Sequence, residues 1–600
     1  MSRSRSLRSS FFVLQAGAVA LVIAACSSSS RGFDTPPGPS FVAPGADASA
    51  PEAPAPTCGP HCSRDLKTVL TGCDGAEQVA ETCTADQGCG QGQCVPACTA
   101  AELSKGSAGC EFWTLPVDDV QEGPGSCFAA IVANTWDRAV ALTADYGSKP
   151  LDISKSAYTV DRKDGGAGYT LLEGPLPPGQ VAIVFLAQSP NVLDVRGTPC
   201  PPAVTPALLA DPILHGTSRT TAFHLKADAP VSAYSIFPYG GANTHFPSAT
   251  LLLPVSSWEK DYVAVSPHDF GFHARRTLQI VADQDDTVVS IRPNVEVPSG
   301  SNIDGATSGV TKDWTLARGQ VLQFTQDEMT GSPISTTKPV GVFGGSECTY
   351  VPAAYGTCDL LQQQIPPTSQ WGTKYALVPF PPRIDSFSSA TREQVPYTIV
   401  GAADGTVLTY EPSRPQGAPE TLDAAQSASF MTDQLLVVRS QDSKHPFHAA
   451  VYMTGSTFGG GTGTFVTGDP DYVNVPPADQ FLDRYVFFTD YTYPETRLTV
   501  VRRKTVNGFL PVELDCAAGP IDGFAPLGTS GEFEYAWVSL TNGYVPQKIG
   551  KGECGYGRQG AHSDGPFAIT VWGMSQDSSY GYVGGTGLRP INDAPPPLLK

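Results

Sequence analysis

Six hundred residues exceed what one hydrophobic core supports, so several domains are expected. Charged residues make up only 16% of the chain, against 61 Gly and 54 Pro, a mixture that suits many short strands joined by turns and disfavours long helices. The formal charge of −20, with no basic run beyond the N-terminus, excludes nucleic acid as a charge-driven partner.

In chain order, Arg3, Arg5 and Arg8 precede an apolar run from Phe11 to Ile23 that is too short for a usual membrane span. Ile23-Ala24-Ala25-Cys26 then has the form of a bacterial lipobox. Residues 1–25 are therefore expected to be a signal peptide, and Cys26 the lipidated residue that anchors the chain in a membrane. Ser27 at the following position points to the outer membrane, so an exported lipoprotein of the cell surface is expected. Residues 26–57 are rich in Ser, Pro and Ala and cannot offset the entropy of ordering, so they read as a tether.

Residues 58–110 hold eight cysteines, Cys58, Cys62, Cys73, Cys83, Cys89, Cys94, Cys98 and Cys110, around very few apolar side chains. Disulfides must hold so small a module together. With Cys127, Cys200, Cys348, Cys358, Cys516 and Cys554 they make an even set of disulfide candidates, as an exported chain would carry, and their connectivity cannot be read from spacing. No CxxC is present, and the one histidine close to the dense cluster is His61, so zinc is not expected there.

From residue 111 to 595 the texture becomes alternating strands, and it repeats. A corner of Pro, Ser or Asp, an aromatic residue and a Tyr occurs as Pro254-x-Ser256-x-Trp258 with Tyr262, as Pro367-x-Ser369-x-Trp371 with Tyr375, and as Pro477-x-Asp479-x-Phe481 with Tyr485. Strands opened by proline recur at Pro230, Pro339, Pro446 and Pro566. Thr277 to Ala282, an Asp-rich turn and Thr287 to Ile291 read as a hairpin, echoed by Tyr397 to Val400 and Thr406 to Tyr410. The period predicts an all-β fold of four degenerate antiparallel units of about 110 residues, near 111–250, 251–365, 366–475 and 476–595. Each unit holds five to seven short strands. The spacing leaves open tandem sandwich-like modules, which the unit length favours, and a closed propeller-like ring.

The chain contains no G-x-S-x-G elbow, HExxH, Walker loop or EF-hand loop. Ser257-Trp258-Glu259-Lys260 fits S-x-x-K by letter but lies inside the repeated corner. His445 and His448 flank a strand start, on opposite faces by alternation. Asp283, Asp285 and Asp286 in the Asp-rich turn are candidate calcium ligands, with Asp469 and Asp471 a second acidic pair; no other cofactor is expected. The recurring aromatics read as core, which leaves the irregular loops Tyr239 to His245, Thr454 to Tyr472 and Ser575 to Tyr582 as the candidate binding surface. The loop between Cys348 and Cys358 is also distinctive, because the other units lack it.

The stretch from Thr330 to Trp371 carries Thr-Gly-Ser, Lys-Pro-Val, Phe-Gly-Gly, paired cysteines and the ending Gln364-Ile365-Pro366-Pro367-Thr368-Ser369-Gln370-Trp371-Gly372. Together with Gly508 to Cys516, Gly523 to Gly528, Glu534-Tyr535 and the closing Pro566 to Gly573, it resembles the IgGFc-binding protein N-terminal domain family across roughly residues 220 to 590. The shared positions are aromatics, glycines, prolines and cysteines. The resemblance therefore implies fold and export, and a non-catalytic role in recognition or adhesion toward a glycan, a glycoprotein or other cells, without designating binding residues. A structural envelope component and a hydrolase with an unrecognised site are the alternatives.

Overall fold

A computed structural model describes residues 59–72, 77–120, 123–163, 166–191, 197–271, 274–383, 393–457 and 466–599. Cys26, Cys58, Cys73, the leader and the tether lie outside the described residues. No helix among the described residues is long and apolar enough to cross a membrane.

The second unit displays the plan most clearly. Its seven strands are Glu259–Val263, Arg276–Ala282, Thr287–Ile291, Lys312–Leu316, Gln320–Gln326, Pro333–Tyr350 and Cys358–Ile365. The sixth runs for 18 residues and serves two sheets. Its first half pairs with the first and third strands, and the third pairs with the fourth. Its second half pairs with the second and seventh strands, and the second pairs with the fifth. The result is a two-sheet sandwich, antiparallel throughout, with side chains of both inner faces interleaved as the core.

The same pairing graph recurs three more times. In the first unit the strands are Gly109–Thr114, Phe128–Asn134, Leu142–Tyr146, Lys149–Leu151, Val181–Ala187, Phe223–Phe237 and Ser248–Leu251. The hairpin of Ala157–Lys163 and Gly166–Leu171 widens it beyond the fifth strand. The third unit, from Lys374–Leu377 to Asp471–Asn474, splits its sixth strand into Leu436–Ser440 and Phe447–Met453 around the turn that carries Pro446. Two separate four-stranded sheets follow from that break. The fourth unit, from Leu482–Thr489 to Ser578–Val583, again uses one long sixth strand, Gly557–Ser575.

One expectation is corrected by this plan. Thr277 to Ala282 and Thr287 to Ile291 are strands, but they do not form a hairpin: they pair with successive halves of Pro333–Tyr350, and the Asp-rich turn carries the chain from one sheet to the other. The echo in the third unit is the same corner between sheets, with Val395–Gly401 and Thr406–Glu411 on different partners. A strand's alternation reports which face is buried, not which neighbour it bonds, so the two arrangements look alike in sequence.

The four sandwiches close into a ring. The seventh strands, Ser248–Leu251, Cys358–Ile365, Asp471–Asn474 and Ser578–Val583, pack each on the next around a central axis, and the last packs on the first. Side chains fill that axis. The Gln363 amide donates to Ala249 O at 2.9 Å and Gly581 O at 3.5 Å, tying three units together. Ser248 Oγ and Thr250 Oγ1 accept the backbone N–H groups of Gln362 and Gln364, and Asn474 Nδ2 donates to Gln364 O at 2.9 Å. At the joint of the fourth and first units, Tyr234 Oη is 2.9 Å from both Val486 O and Gly584 O. Sandwich and ring are therefore both present, at different levels of the architecture.

The Cys-rich module is held by Cys62–Cys89, Cys83–Cys94 and Cys98–Cys110 and carries one helix, Ala97–Ser104. It seats against the ring: Trp136 Nε1 donates to Ala85 O at 2.8 Å, Arg64 pairs with Asp564 at 2.8 Å, and Leu588 N donates to Lys105 O at 2.7 Å. The remaining bridges are Cys127–Cys200, Cys348–Cys358 and Cys516–Cys554. Six disulfides among the described residues fit an oxidising compartment and an exported chain.

Candidate recognition surface

Because the seventh strands line the axis in the same sense, the four connections that lead into them emerge together at one end of the ring. They are residues 238–247, 351–357, 454–470 and 576–577, with 458–465 outside the described residues. They coincide with the loops from Tyr239 to His245 and Thr454 to Tyr472 and with the disulfide loop singled out by sequence. Ser575 to Tyr582, expected as a loop, is strand except for residues 576–577: Ser578–Val583 is the buried seventh strand, whose Gly and Tyr residues pack on the axis rather than forming a loop. Four features with no visible relation in the sequence are one structural position repeated four times.

The connections differ in build. The first folds into the single turn Gly241–Thr244, with Tyr239 buried beneath it and its hydroxyl 3.0 Å from that of Tyr169. Gly241 has φ +72, and a Cβ there would come within 1.9 Å of Thr492 Oγ1, so only glycine permits the turn to settle on the neighbouring unit. The second is a turn at Ala353–Tyr355 just inside the Cys348–Cys358 bridge. The third is the longest, and the fourth is a two-residue turn with Asp577 in the left-handed region at φ +51.

Hydrogen bonds knit the last three into one surface. Asp469 Oδ1 accepts from Ser456 N at 2.7 Å and from Thr357 Oγ1 at 2.5 Å. Ser456 Oγ donates to Asp577 Oδ1 at 2.7 Å, Gly468 N donates to Ser575 O at 2.6 Å, and Thr457 Oγ1 donates to Tyr355 O. Burial raises the Asp469 carboxyl to about 6, against the opposing pull of its Thr357 and Ser456 donors. Beneath the third connection lies a buried ion pair that sequence reasoning missed. Arg383 Nε is 3.1 Å from Glu393 Oε2, and the same guanidinium donates to Thr454 Oγ1 and to the Gly468 and Thr467 carbonyls. Arg383 and Glu393 are ten residues apart, but the groups that complete the site, Thr454, Thr467 and Gly468, come from more than seventy residues further on, so nothing in the local pattern flags it. Hydroxyls and carboxylates here satisfy one another, which makes a rigid platform for contact. Its exposed positions include His245, Ala354, Gly356 and Gln576.

The Asp-rich turn lies elsewhere, at the joint of the first and second units. Asp283 Oδ1 accepts from Trp113 Nε1 at 2.9 Å, Asp285 Oδ1 accepts from Arg318 N at 2.9 Å, and Asp286 occupies the left-handed region at φ +53. Asp469 and Asp471 are buried, and burial raises the Asp471 carboxyl as well.

The repeated corners occupy the opposite end of the ring. Tyr262 Oη donates to Val340 O and accepts Glu259 N; Tyr375 makes the same pair of bonds with Phe447 O and Gly372 N, and Tyr485 with Phe567 O and Leu482 N. Trp258 Nε1 donates to Leu253 O at 3.1 Å and Trp371 Nε1 to Pro366 O at 3.0 Å. Ser257 of the S-x-x-K match spends its hydroxyl on Pro254 O at 2.7 Å. Between these corners lies an apolar cavity of about 50 Å³, bounded by Leu251, Trp371, Tyr375, His448 and Val583 among others. His448 Nε2 faces Asn474 Oδ1 at 3.1 Å, and burial lowers its imidazole to about 4, so the ring stays neutral. His445 lies in the turn before that strand rather than on its other face, and its Nδ1 is 2.7 Å from Asp442 Oδ1.

The family model described as IgGFc binding protein matches residues 248–573. The human IgGFc-binding protein is 24% identical over 295 residues, which is 48% of this chain and 5% of that relative, so the chain spans only a small fraction of the relative's length. No solved structure matches. The matched span runs from the seventh strand of the first unit through the sixth of the fourth, which is most of the ring and includes all three copies of the corner, and on that extent the chain belongs to the IgGFc-binding protein family.

Proposed function

We propose that this chain is a non-catalytic recognition protein of the exported cell envelope, and that the gathered connections at one end of the ring contact a glycoprotein or polysaccharide. The observation that carries this reading is that four equivalent positions of a repeated scaffold carry four different connections on one surface, three of them braced to one another by hydrogen bonds. Variation in loops set on a rigid frame is how such folds acquire ligands. The human relative's name points to an immunoglobulin ligand for that protein, and family membership extends a binding role to this one as an inference. In the same proposal, Cys26 carries lipid and holds the chain at the outer membrane, with residues 26–57 as spacer.

The test uses the mature chain on a glycan array and on immobilised immunoglobulin, alongside His245→Ala and Gln576→Ala, and a deletion strain in a cell-aggregation assay. A ligand lost by at least roughly tenfold in the variants supports the surface. Absence of any ligand together with unchanged aggregation would leave a structural envelope role instead. Palmitate labelling retained in Cys26→Ala would refute the anchor.

A further inference from the structure

We propose that Glu111, His224 and Asp283 form a binding site for a divalent transition cation of the zinc class, at the joint between the first and second units. One ligand atom of each lies within 4.8 Å of the other two. Glu111 comes from the first strand of the first unit, His224 from its sixth, and Asp283 from the turn between sheets in the second unit. His224 is 1% exposed, and its Nε2 makes no hydrogen bond although Glu111 Oε2 stands 3.4 Å away. A buried imidazole nitrogen that meets only one carboxylate, outside good hydrogen-bond geometry, is poorly satisfied, and a cation bound there removes the cost.

The surroundings fit a histidine ligand. Nδ1 on the far edge of the ring lies 3.3 Å from Asp145 Oδ2, and Asp145 is itself held by Lys226 at 3.0 Å. Nδ1 also lies 2.9 Å from Arg318 Nη2, which can only donate, so ligation at Nε2 requires Arg318 to give up that contact; Nδ1 then carries the proton and Asp145 accepts it, the carboxylate–histidine–metal relay that sets ring orientation and basicity. Trp113 stacks on His224 at 4.4 Å between centroids and donates to Asp283 Oδ1, which fixes both ligands on one indole. The cations that face the site are Lys226 and Arg318, the latter 2.9 Å from His224 Nδ1, 4.0 Å from Asp283 and 5.1 Å above the Trp113 ring. Against three carboxylates these two leave the cluster net negative, which suits a divalent ion. One imidazole with two carboxylates selects a borderline ion over calcium, which takes oxygens, and three protein ligands leave a position for water. Such an ion would staple two units, and the Asp-rich turn would contribute Asp283 alone.

The full mature chain, stripped with chelator, is titrated with zinc chloride by calorimetry and with cobalt chloride by visible absorption. One zinc per chain is expected, weakened by roughly a hundredfold in Glu111→Gln or Asp283→Asn and by ten- to a hundredfold in Asp145→Asn. Asp286→Asn, in the same turn, binds like the parent. Glu111 is exposed, so its variant keeps the fold and remains informative if Asp283→Asn does not. Zinc content no higher than in the Glu111→Gln, Asp283→Asn double variant overturns the proposal, as does displacement of zinc by equimolar calcium.

Discussion

At one end of the ring, three units repeat a corner bond for bond: a tyrosine hydroxyl clasps the sixth strand of its own unit and takes the N–H that opens its own first strand. At the other end, the four connections into the seventh strands share position and nothing else: a single turn, a disulfide loop, a long loop over a buried ion pair, and a two-residue turn. The corner repeats because each of these three units must solve the same packing problem where the chain passes into it from the unit before. The connections diverge because the scaffold asks of them only that they join two strands. Stability should therefore reside at the corner end and ligand contact at the other.

The largest test of that contrast is Trp371→Ala. It empties a fully buried site against the axial cavity and should cost about 3–5 kcal/mol in denaturant unfolding. A loss below about 1 kcal/mol would mean that the corners do not hold the ring.

Acid provides the next. His448 titrates near 4 when folded, against an ordinary value near 6.5, so the unfolded chain takes up a proton first as pH falls. Its contribution is full above about pH 6.5 and is lost toward pH 4, by about 3 kcal/mol in all. Asp469, raised to about 6, has the opposite sign: it stabilises the fold as pH falls through 6 and loses that effect as pH rises. Comparing unfolding at pH 7 and 4.5 for the parent, His448→Phe and Asp469→Asn separates the two ends of the ring. The histidine variant should lose acid sensitivity and the aspartate variant should gain it.

Replacing Cys348 and Cys358 by serine opens a short loop at the recognition end. A cost of about 2–3 kcal/mol is expected by thermal unfolding, with ligand contact affected more than the mid-point implies. Smallest is Gln576→Ala, exposed at the tip of the fourth connection: its stability should stay within about 0.5 kcal/mol of the parent while ligand contact falls. If this exposed change costs as much as a corner residue, the division of labour between the two ends fails.

Much of this was legible in the chain. The prolines and aromatics of the corner mark the units because packing a bulky ring at a fixed strand entry leaves a fixed spacing. Glycine records the same constraint from the other side: a Cβ on Gly341 would come within 2.5 Å of the Trp258 ring that lies on it. The candidate surface was legible only in pieces, since Tyr239 to His245, the Cys348 loop, Thr454 to Tyr472 and Ser575 to Tyr582 differ in length and composition. The Glu111, His224 and Asp283 cluster had no signal, because no local spacing connects its members, and the Arg383 and Glu393 pair had none because ten residues between two charges mark no burial and the groups around it come from over seventy residues away.

By itself, then, the sequence determined the all-β class, most strand positions and the aromatic corners, which depend on residues within a few positions of one another, and through the recurrence of those corners the four-unit period. Only the tertiary structure decided that each sixth strand bridges two sheets, that Asp283 turns a corner rather than closing a hairpin, and that Ser578–Val583 meets Ser248–Leu251 to close the ring. Alternation specifies which face of a strand is buried, whereas pairing partners and closure are chosen by contacts hundreds of residues apart, which leave no period in the chain.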